Sequence, residues 1–437
     1  MQTTLENLGD LSRRLHVAVP LAQIDGEVGK RLARLAKTVK VPGFRPGHVP
    51  IRMVEQQYGP QVRSDVISDA VQASFADAIR EQNLRVAGYP RIEPAANKTA
   101  PDTALEFSAI FEVYPDVTVG DIASATIERP QVEVTAADVD RTVDVLRRQR
   151  ATFHPATDGA ISGDRVKVDF TGKIDGVEFA GGQAKDFDIA VGEGRMLPEF
   201  EAAVAGMKAG DTKTFDLTFP ADYHGKEVAG KVAQFEISAK EVSRPDVPPL
   251  DGAFATAFGI KSGNVDDLRS EVESNLKLEL KRKVDTMLRD QAMRALREKS
   301  QLALPKSLVV DETQQLMRRM AGQLQQQGMK PEDIKLEPSM FEKQAEERVA
   351  LGLILGEIVR KEGLEAKPVQ VKAMVQELAQ TYEQPDAVVR WHYEKPERLA
   401  DFEGMAVEHN VVDWVLGRAQ VKDVPAKFEE IVGTPGR

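Results

Sequence analysis

Val168-Asp169-Phe170-Thr171-Gly172, followed two residues later by Asp175-Gly176-Val177-Glu178-Phe179, decides the fold of the middle of this chain. Val166, Val168 and Phe170 alternate with Lys167, Asp169 and Thr171, so one face of an extended segment is apolar and the other wet. Asp175-Gly176 is a two-residue hairpin signal, because both positions of that turn need a positive φ. Val177 and Phe179 then resume the alternation, and Phe187, Ile189, Val191 and Phe215, Leu217, Phe219 repeat it further on. A last strand runs through Phe235 and Ile237. Between them stands one short helix, with Pro198 in its first turn, Phe200 and Val204 facing inward and Gly206 ending it. A strongly bent antiparallel sheet wrapped around one short helix satisfies this pattern over residues 151–243.

Upstream, residues 1–112 read as a small α+β unit. Leu15, Val17 and Val19 alternate as a strand, as do Leu105, Phe107, Ala109, Phe111 and Val113. Ile24, Val28, Leu32, Leu35 and Val39 recur at helical spacing, which leaves Lys30, Arg31, Arg34 and Lys37 largely off the apolar stripe. Pro42 and Gly43 stop this helix. Pro50 suits the start of the next, with Ile51, Val54 and Tyr58 on one side. Residues 113–150 form a linker broken by Pro115 and Pro130, then a helix capped by Thr135 that carries Val139, Val143 and Leu146.

Residues 244–437 open Pro-rich and become almost wholly helical. Leu268, Val272, Leu276, Leu280, Val284, Leu288 and Ala292 trace a stripe about 25 residues long at helical spacing. Pro305, Pro331, Pro338, Pro368, Pro385 and Pro396 punctuate the later segments, each followed by a helical pattern. Long helices with many prolines point to arms. The fold class expected is multidomain α+β: a small α+β domain, a bent antiparallel sheet around a short helix, and an all-α C-terminal domain.

At 437 residues the chain is long enough for two to four domains, and 42% hydrophobic residues suffice for real cores. A mean hydropathy of -0.34 and a charged fraction of 29% describe a chain made for water. The absence of cysteine excludes disulfide scaffolds, thiolate metal sites and cysteine nucleophiles together. No stretch approaches the roughly 20 apolar residues of a spanning helix, and the first residues lack a signal-peptide core. The expected location is the cytoplasm.

Between Val28 and Met53 stand seven cations and no carboxylate, in a chain whose formal net charge is -11. The stretch ends in Gly43-Phe44-Arg45-Pro46-Gly47, an aromatic and a guanidinium between two glycines at a loop tip. Segregating positive charge at one end of an acidic body suits docking to a polyanion through that end alone. From the stretch by itself, a solvated helix face followed by an ordinary turn is the plainer reading. The six histidines show neither metal-ligand spacing nor a nucleophile partnership, and Gly192-Glu193-Gly194 lacks the βαβ setting of a phosphate loop.

The order and spacing of three segments carry a resemblance. Val168 to Phe179, Val191-Gly192 through Met196-Leu197-Pro198, and Phe219-Pro220-Ala221-Asp222-Tyr223-His224-Gly225 resemble the FK506-binding (FKBP) type of peptidyl-prolyl isomerase across nearly the whole middle unit. The resemblance implies a catalytic pocket walled by Phe170, Phe179, Phe187, Met196, Leu197, Phe200, Tyr223 and Phe235, with neither cofactor nor metal. Phe215 and Phe219 are left to the core. Ala180 stands where small stand-alone members carry an acid, and Glu199 where a glycine usually precedes the aromatic of the helix.

Together with the Gly-Phe-Arg-x-Gly loop, the linker segments Phe111-Glu112-Val113-Tyr114-Pro115 and Val132-Glu133-Val134-Thr135, and the helical C-terminal half, the chain is similar over its full length to the trigger factor family of bacterial ribosome-associated chaperones. That resemblance implies ribosome docking through Gly43, Phe44, Arg45, Pro46 and Gly47, supported by Lys30, Arg31, Arg34 and Lys37. Pro46 replaces a common lysine there, and His48 another frequent cation. The partners implied are ribosomal protein and RNA at the tunnel exit and nascent or unfolded polypeptides, with no membrane partner. The resemblance also allows a homodimer when the protein is free. Residues 1–112 would bind the ribosome, 113–150 pack with the C-terminal domain, 151–243 isomerise and 244–437 cradle clients. A holdase with a catalytically weak isomerase fold is the alternative.

Overall fold

The computed structural model describes residues 2–39, 44, 49–94, 104–223, 225–380 and 382–433. By contact the chain divides into two units, Met1–Arg129 with Met287–Lys422, and Pro130–Thr286 with Asp423–Arg437.

The first unit opens with an antiparallel hairpin of β1 (Gln2–Gly9) and β2 (Ser12–Pro20). Helices α1 (Leu21–Thr38) and α2 (Ile51–Glu81) follow, then β3 (Val86–Pro94) and β4 (Ala104–Val113). The sheet order is β1-β2-β4-β3, antiparallel throughout. Leu15, Val17 and Val19 point inward from β2 as their alternation predicts, and meet Phe107, Ala109 and Phe111 of β4. Ile24 of α1 and Val66 and Ala78 of α2 complete this core. Strand β1 is an addition to the sequence reading: of its side chains only Leu5 packs on the core, too few to draw an alternation.

Helices α1 and α2 form a hairpin around a second core of Leu32, Ala36, Val49 and Val54. Pro50, with φ −62°, stands immediately before the first residue of α2, where its missing N–H costs nothing. Ile51 is 54% exposed, so it does not share the buried side of Val54 and Tyr58. Helix α2 runs 31 residues and passes through Pro60, a position where a proline forfeits one backbone hydrogen bond.

Short strands β5 (Thr118–Val119) and β6 (Thr126–Gln131) lie within the linker. In the second unit, α3 (Ala136–Gln149) begins at the predicted cap. Thr135 Oγ1 accepts from the Asp138 N–H at 3.3 Å, and the Asp138 carboxylate accepts from the Thr135 N–H at 2.9 Å. Val139 and Val143 pack with Phe254, Leu268, Val272, Leu276 and Leu280.

Strands β7 (Thr152–Pro155), β8 (Arg165–Ile174) and β9 (Val177–Ala190) come next, then helix α4 (Pro198–Val204) and strands β10 (Thr212–Thr218) and β11 (Val232–Asp246). They make an antiparallel sheet ordered β10-β11-β8-β9, with β7 joined to the far end of β11. Asp175 and Gly176 take φ of 50° and 82°, both positive as the hairpin required. Val166, Val168, Ile189, Leu217, Ala233 and Ile237 line the concave side, against Phe200 and Val204 of α4.

Helix α5 (Gly252–Ala257) precedes α6 (Val265–Lys299), whose 35 residues exceed the predicted stripe at both ends. The remainder is β12 (Ser300–Gln301), which pairs with β5, then α7 (Lys306–Gln326), α8 (Glu342–Glu362), α9 (Pro368–Ala379), α10 (Pro385–Tyr393), α11 (Ala400–Leu416), β13 (Gln420–Pro425) and α12 (Phe428–Val432). Pro368 and Pro385 open α9 and α10, and Pro305 immediately precedes α7. Pro331, Pro338 and Pro396 open single 3₁₀ turns instead. Among the described residues, no helix is long and apolar enough to cross a membrane.

Candidate active site

On the concave side of the β7–β11 sheet lies a hollow of about 530 Å³. Strand β8 supplies Phe170 to its wall, β9 supplies Phe179, and α4 supplies Phe200. Met196 and Leu197 come from the loop leading into α4, Tyr223 from the loop after β10, and Phe235 from β11. Seven of the eight residues expected at a pocket therefore meet around one cavity.

The rings hold one another edge to face. Phe200 lies 5.3 Å from Phe170, 5.6 Å from Phe235 and 5.4 Å from Phe215, each at 76° or more. Phe179 places its ring 6.0 Å from Phe219 and 6.1 Å from Phe235, near perpendicular to both. Such contacts add roughly 0.5–1.5 kcal/mol per pair beyond area burial, so the wall is stiff before anything binds.

Two glycines make the geometry feasible. Gly172 is the cross-strand partner of Phe235, and a β-carbon built there would come 2.6 Å from the ring. Gly182 leaves the same kind of room for Phe179, at 2.8 Å. Both rings lie against bare backbone.

Two sequence expectations are revised by the packing. Phe187 does not line the cavity: its ring is 40% exposed and meets Phe170 edge-on at 5.8 Å, behind the wall. Phe219, assigned to the core, lines the cavity, as do Leu217 and Val228. Phe215 remains outside it, stacked on Phe235 at 5.9 Å. Phe215, Leu217 and Phe219 share a face by alternation, so their common orientation was visible. Which end of that face opens into the hollow depends on where α4 covers it.

Gly181, Gly194, Gly225 and Arg195 complete the lining, and were missed because glycine has no pattern of its own. Arg195 is the one charged residue among the described residues that line the cavity, and it pairs with Glu193 at 3.0 Å on the exposed rim. Glu199 is exposed on α4 and outside the lining. The side chain of Ala180 and all of His224 lie outside the described residues. Among the described residues the site offers a largely apolar slot lined by neither serine, threonine nor carboxylate.

The second candidate site is the α1–α2 hairpin. Gly43, Arg45, Pro46 and Gly47 lie outside the described residues, while Phe44 is 37% exposed. Lys30 pairs with Glu27 at 2.6 Å, and Arg31 with Asp69 of α2 at 2.5 Å. The Lys30 hydrogen bond and charge, with Arg34 and Arg31 nearby, hold the Glu27 carboxyl below its usual range. Arg34 and Lys37 stand exposed on the same helix. Two of the four cations expected to face a polyanion are thus already engaged by carboxylates of the hairpin.

Fold and cavity together define an isomerase unit of the FKBP class, and the family model described as FKBP-type peptidyl-prolyl cis-trans isomerase matches residues 157–240. The models of bacterial trigger factor protein and of its C-terminus match residues 1–146 and 264–417. The chain is 49% identical over 433 residues to the trigger factor of Dechloromonas aromatica, with 99% of each chain covered. It is 50% identical over 435 residues to that of Nitrosospira multiformis, covering 99% of this chain and 100% of the other. With that of Cupriavidus metallidurans it shares 47% over 449 residues, and both chains are covered completely. The chain belongs to the trigger factor family of chaperones and carries its FKBP-type peptidyl-prolyl isomerase domain.

Proposed function

We propose that the cavity walled by Phe170, Phe179, Met196, Leu197, Phe200, Tyr223 and Phe235 isomerises X-Pro bonds of polypeptides that the chain meets at the ribosomal tunnel exit. The observation that carries the reading is a hollow of about 530 Å³ walled by interlocked aromatic rings, with the one charge among its described lining residues on the rim. The barrier to amide rotation is about 18–20 kcal/mol because resonance gives the C–N bond double-bond character. That resonance separates charge, so the planar ground state is more polar than the twisted transition state. A slot that strips water from the prolyl amide therefore favours the twisted form. No bond is broken, and no nucleophile is needed. Uncatalysed isomerisation takes tens of seconds, long enough to limit folding.

Docking belongs to the α1–α2 hairpin. Phe44 at its tip and the exposed Arg34 and Lys37 support this part of the reading, with Arg45 from the same loop. Cations on an acidic chain suit a local, salt-sensitive contact with RNA and protein. Residues 1–112 would then dock in the cytoplasm, 151–243 isomerise, and 113–150 with 244–437 hold clients open for folding or export. Exposed Met287, Met320, Met329, Met340 and Met405 support that holding role, because flexible thioethers accept many apolar sequences. Off the ribosome, homodimers are favoured by the edge strand β3, where Tyr89 is 90% and Ile92 42% exposed.

Proline-limited refolding tests the catalytic reading. The slow phase should accelerate at catalytic protein, and Phe235→Leu should blunt the acceleration. An unchanged slow phase at stoichiometric protein would leave only the holdase reading.

A further inference from the structure

Behind the cavity wall, on the outer side of the sheet, two β-bulges flank one carboxylate. In the β8–β9 ladder Val168 pairs with Phe187 but Phe170 pairs with Ala184, so Lys185 and Asp186 together oppose Asp169. In the β11–β8 ladder Ala239 pairs with Val168 and Glu241 with Lys167, so Lys240 is the extra residue on that side. Asp186 adopts φ 52°, a left-handed conformation uncommon outside glycine. Asp169 Oδ1 accepts the Asp186 N–H at 2.8 Å and lies 2.9 Å from Lys240 Nζ, which also reaches Asp186 Oδ1 at 2.8 Å.

We infer that Asp169, Lys240 and Asp186 form a clamp of positioning residues for isomerisation, acting through Phe187 and Phe170. Bulges bend a strand and re-aim the side chains beside them. Phe187 follows the bulged residue directly, and its ring edge braces Phe170, which lines the cavity. Were the bulge to relax, Phe187 would lose its place opposite Val168, and Phe170 would lose the ring behind it. Asp169 is bonded to both bulges at once, so a single carboxylate fixes two irregularities that flank the strand bearing Phe170. None of the three clamp residues lines the cavity. Their influence on turnover passes through the wall.

This inference rests on the proposed catalytic reading of the cavity, and a double-mutant cycle on the full chain separates the two. Isomerisation of a proline tetrapeptide is measured for Asp169→Ala, Phe187→Ala and the pair, with circular dichroism to verify folding. Asp169→Ala should lower kcat/KM about fivefold with Phe187 present and less than about twofold in the Phe187→Ala protein, because coupled residues are non-additive. A loss of equal size in both backgrounds overturns the clamp. So does an unaltered kcat/KM for Asp169→Ala. Should Asp169→Ala fail to fold, Lys240→Gln takes its place in the same cycle.

A second readout is specific to the backbone: Asp186→Gly should lose less activity than Asp186→Ala, since glycine alone takes a positive φ without strain. The reverse rank overturns the role given to the bulge. If Phe235→Leu also left kcat/KM intact, the cavity reading itself would fall, and not merely the clamp.

Discussion

The aromatic cavity and the α1–α2 hairpin, the two proposed sites, are built from opposite materials. Around the cavity the proposed working groups are rings, buried or half-buried, that touch one another at 4.9–6.5 Å and carry no charge. On the hairpin they are a half-exposed ring at the tip and cations on a solvent face, two of which already have carboxylate partners. The first site is made by packing, so each member depends on its neighbours. The second is made by charge and projection, so its members act almost separately. Packing sites fail collectively under mutation, whereas electrostatic sites lose strength by degrees and respond to salt.

The sharpest way to break the comparison is to cross the two functions. Phe44→Ala with Arg45→Ala should cost at least about tenfold in co-sedimentation with ribosomes, since hot-spot aromatics and arginines dominate such contacts, while tetrapeptide isomerisation is untouched. Persistent co-sedimentation would remove the hairpin from the docking reading. Phe200→Ala should do the converse, lowering kcat/KM about tenfold and costing roughly 3–5 kcal/mol of unit stability as a buried aromatic is deleted. If ribosome docking fell with it while the unit stayed folded, the separation of the two sites would be wrong.

A subtler change sharpens the packing side. Gly172→Ala puts a methyl where the Phe235 ring lies, and overpacking of this kind costs about 1–3 kcal/mol. Activity should fall several-fold with no aromatic removed, read as a lower kcat/KM beside a modestly lower Tm. On the charge side, Asp69→Ala frees Arg31 from its partner and should strengthen docking about twofold at low salt, the scale of a surface pair. Weakened docking would show that the pair serves to align the two helices.

The smallest expected effect concerns pH. Lys240 and the Asp186 N–H hold the Asp169 carboxyl below its usual value of 3.8, and Asp186 and Asp169 hold the Lys240 ammonium above 10.5. A depressed carboxyl contributes stability that is present above its unfolded pKa and lost as pH falls through the folded one. A raised ammonium contributes below its unfolded pKa and loses it as pH rises through the folded one. Asp169 and Lys240 are therefore both charged between about pH 5 and 9, and the activity ratio of Asp169→Asn to the unsubstituted protein should be flat across that window. A slope would mean that another group titrates against it.

Much of this was legible in the residues. The alternation Val166-Val168-Phe170 and the Asp175-Gly176 pair predicted the hairpin that organises the sheet. Thr135 predicted the start of α3, and the resemblance to the FKBP type implied eight wall residues, seven of which line the cavity. Phe187 falls outside the lining, and Phe219, in the core as expected, also lines the cavity, for one physical reason. Period two tells which face a side chain takes, but not whether another element covers that part of the face. The bulge at Lys185 and Asp186 adds one residue to β9, and no local pattern announces it. The ion pair of Arg31 was hidden likewise, since Asp69 lies on another helix, 38 residues away, whereas the Lys30–Glu27 pair is local.

The amino-acid order alone determined the strongly alternating strands, several helix starts, the absence of thiol chemistry and the segregation of positive charge. These are local consequences of side-chain periodicity, backbone preference and formal charge. Only the tertiary structure decided which rings enclose the hollow, which glycines make room for them, and which cations meet a carboxylate. Those outcomes depend on register and on distances between segments remote in the chain, and a bulge of one residue is enough to change them.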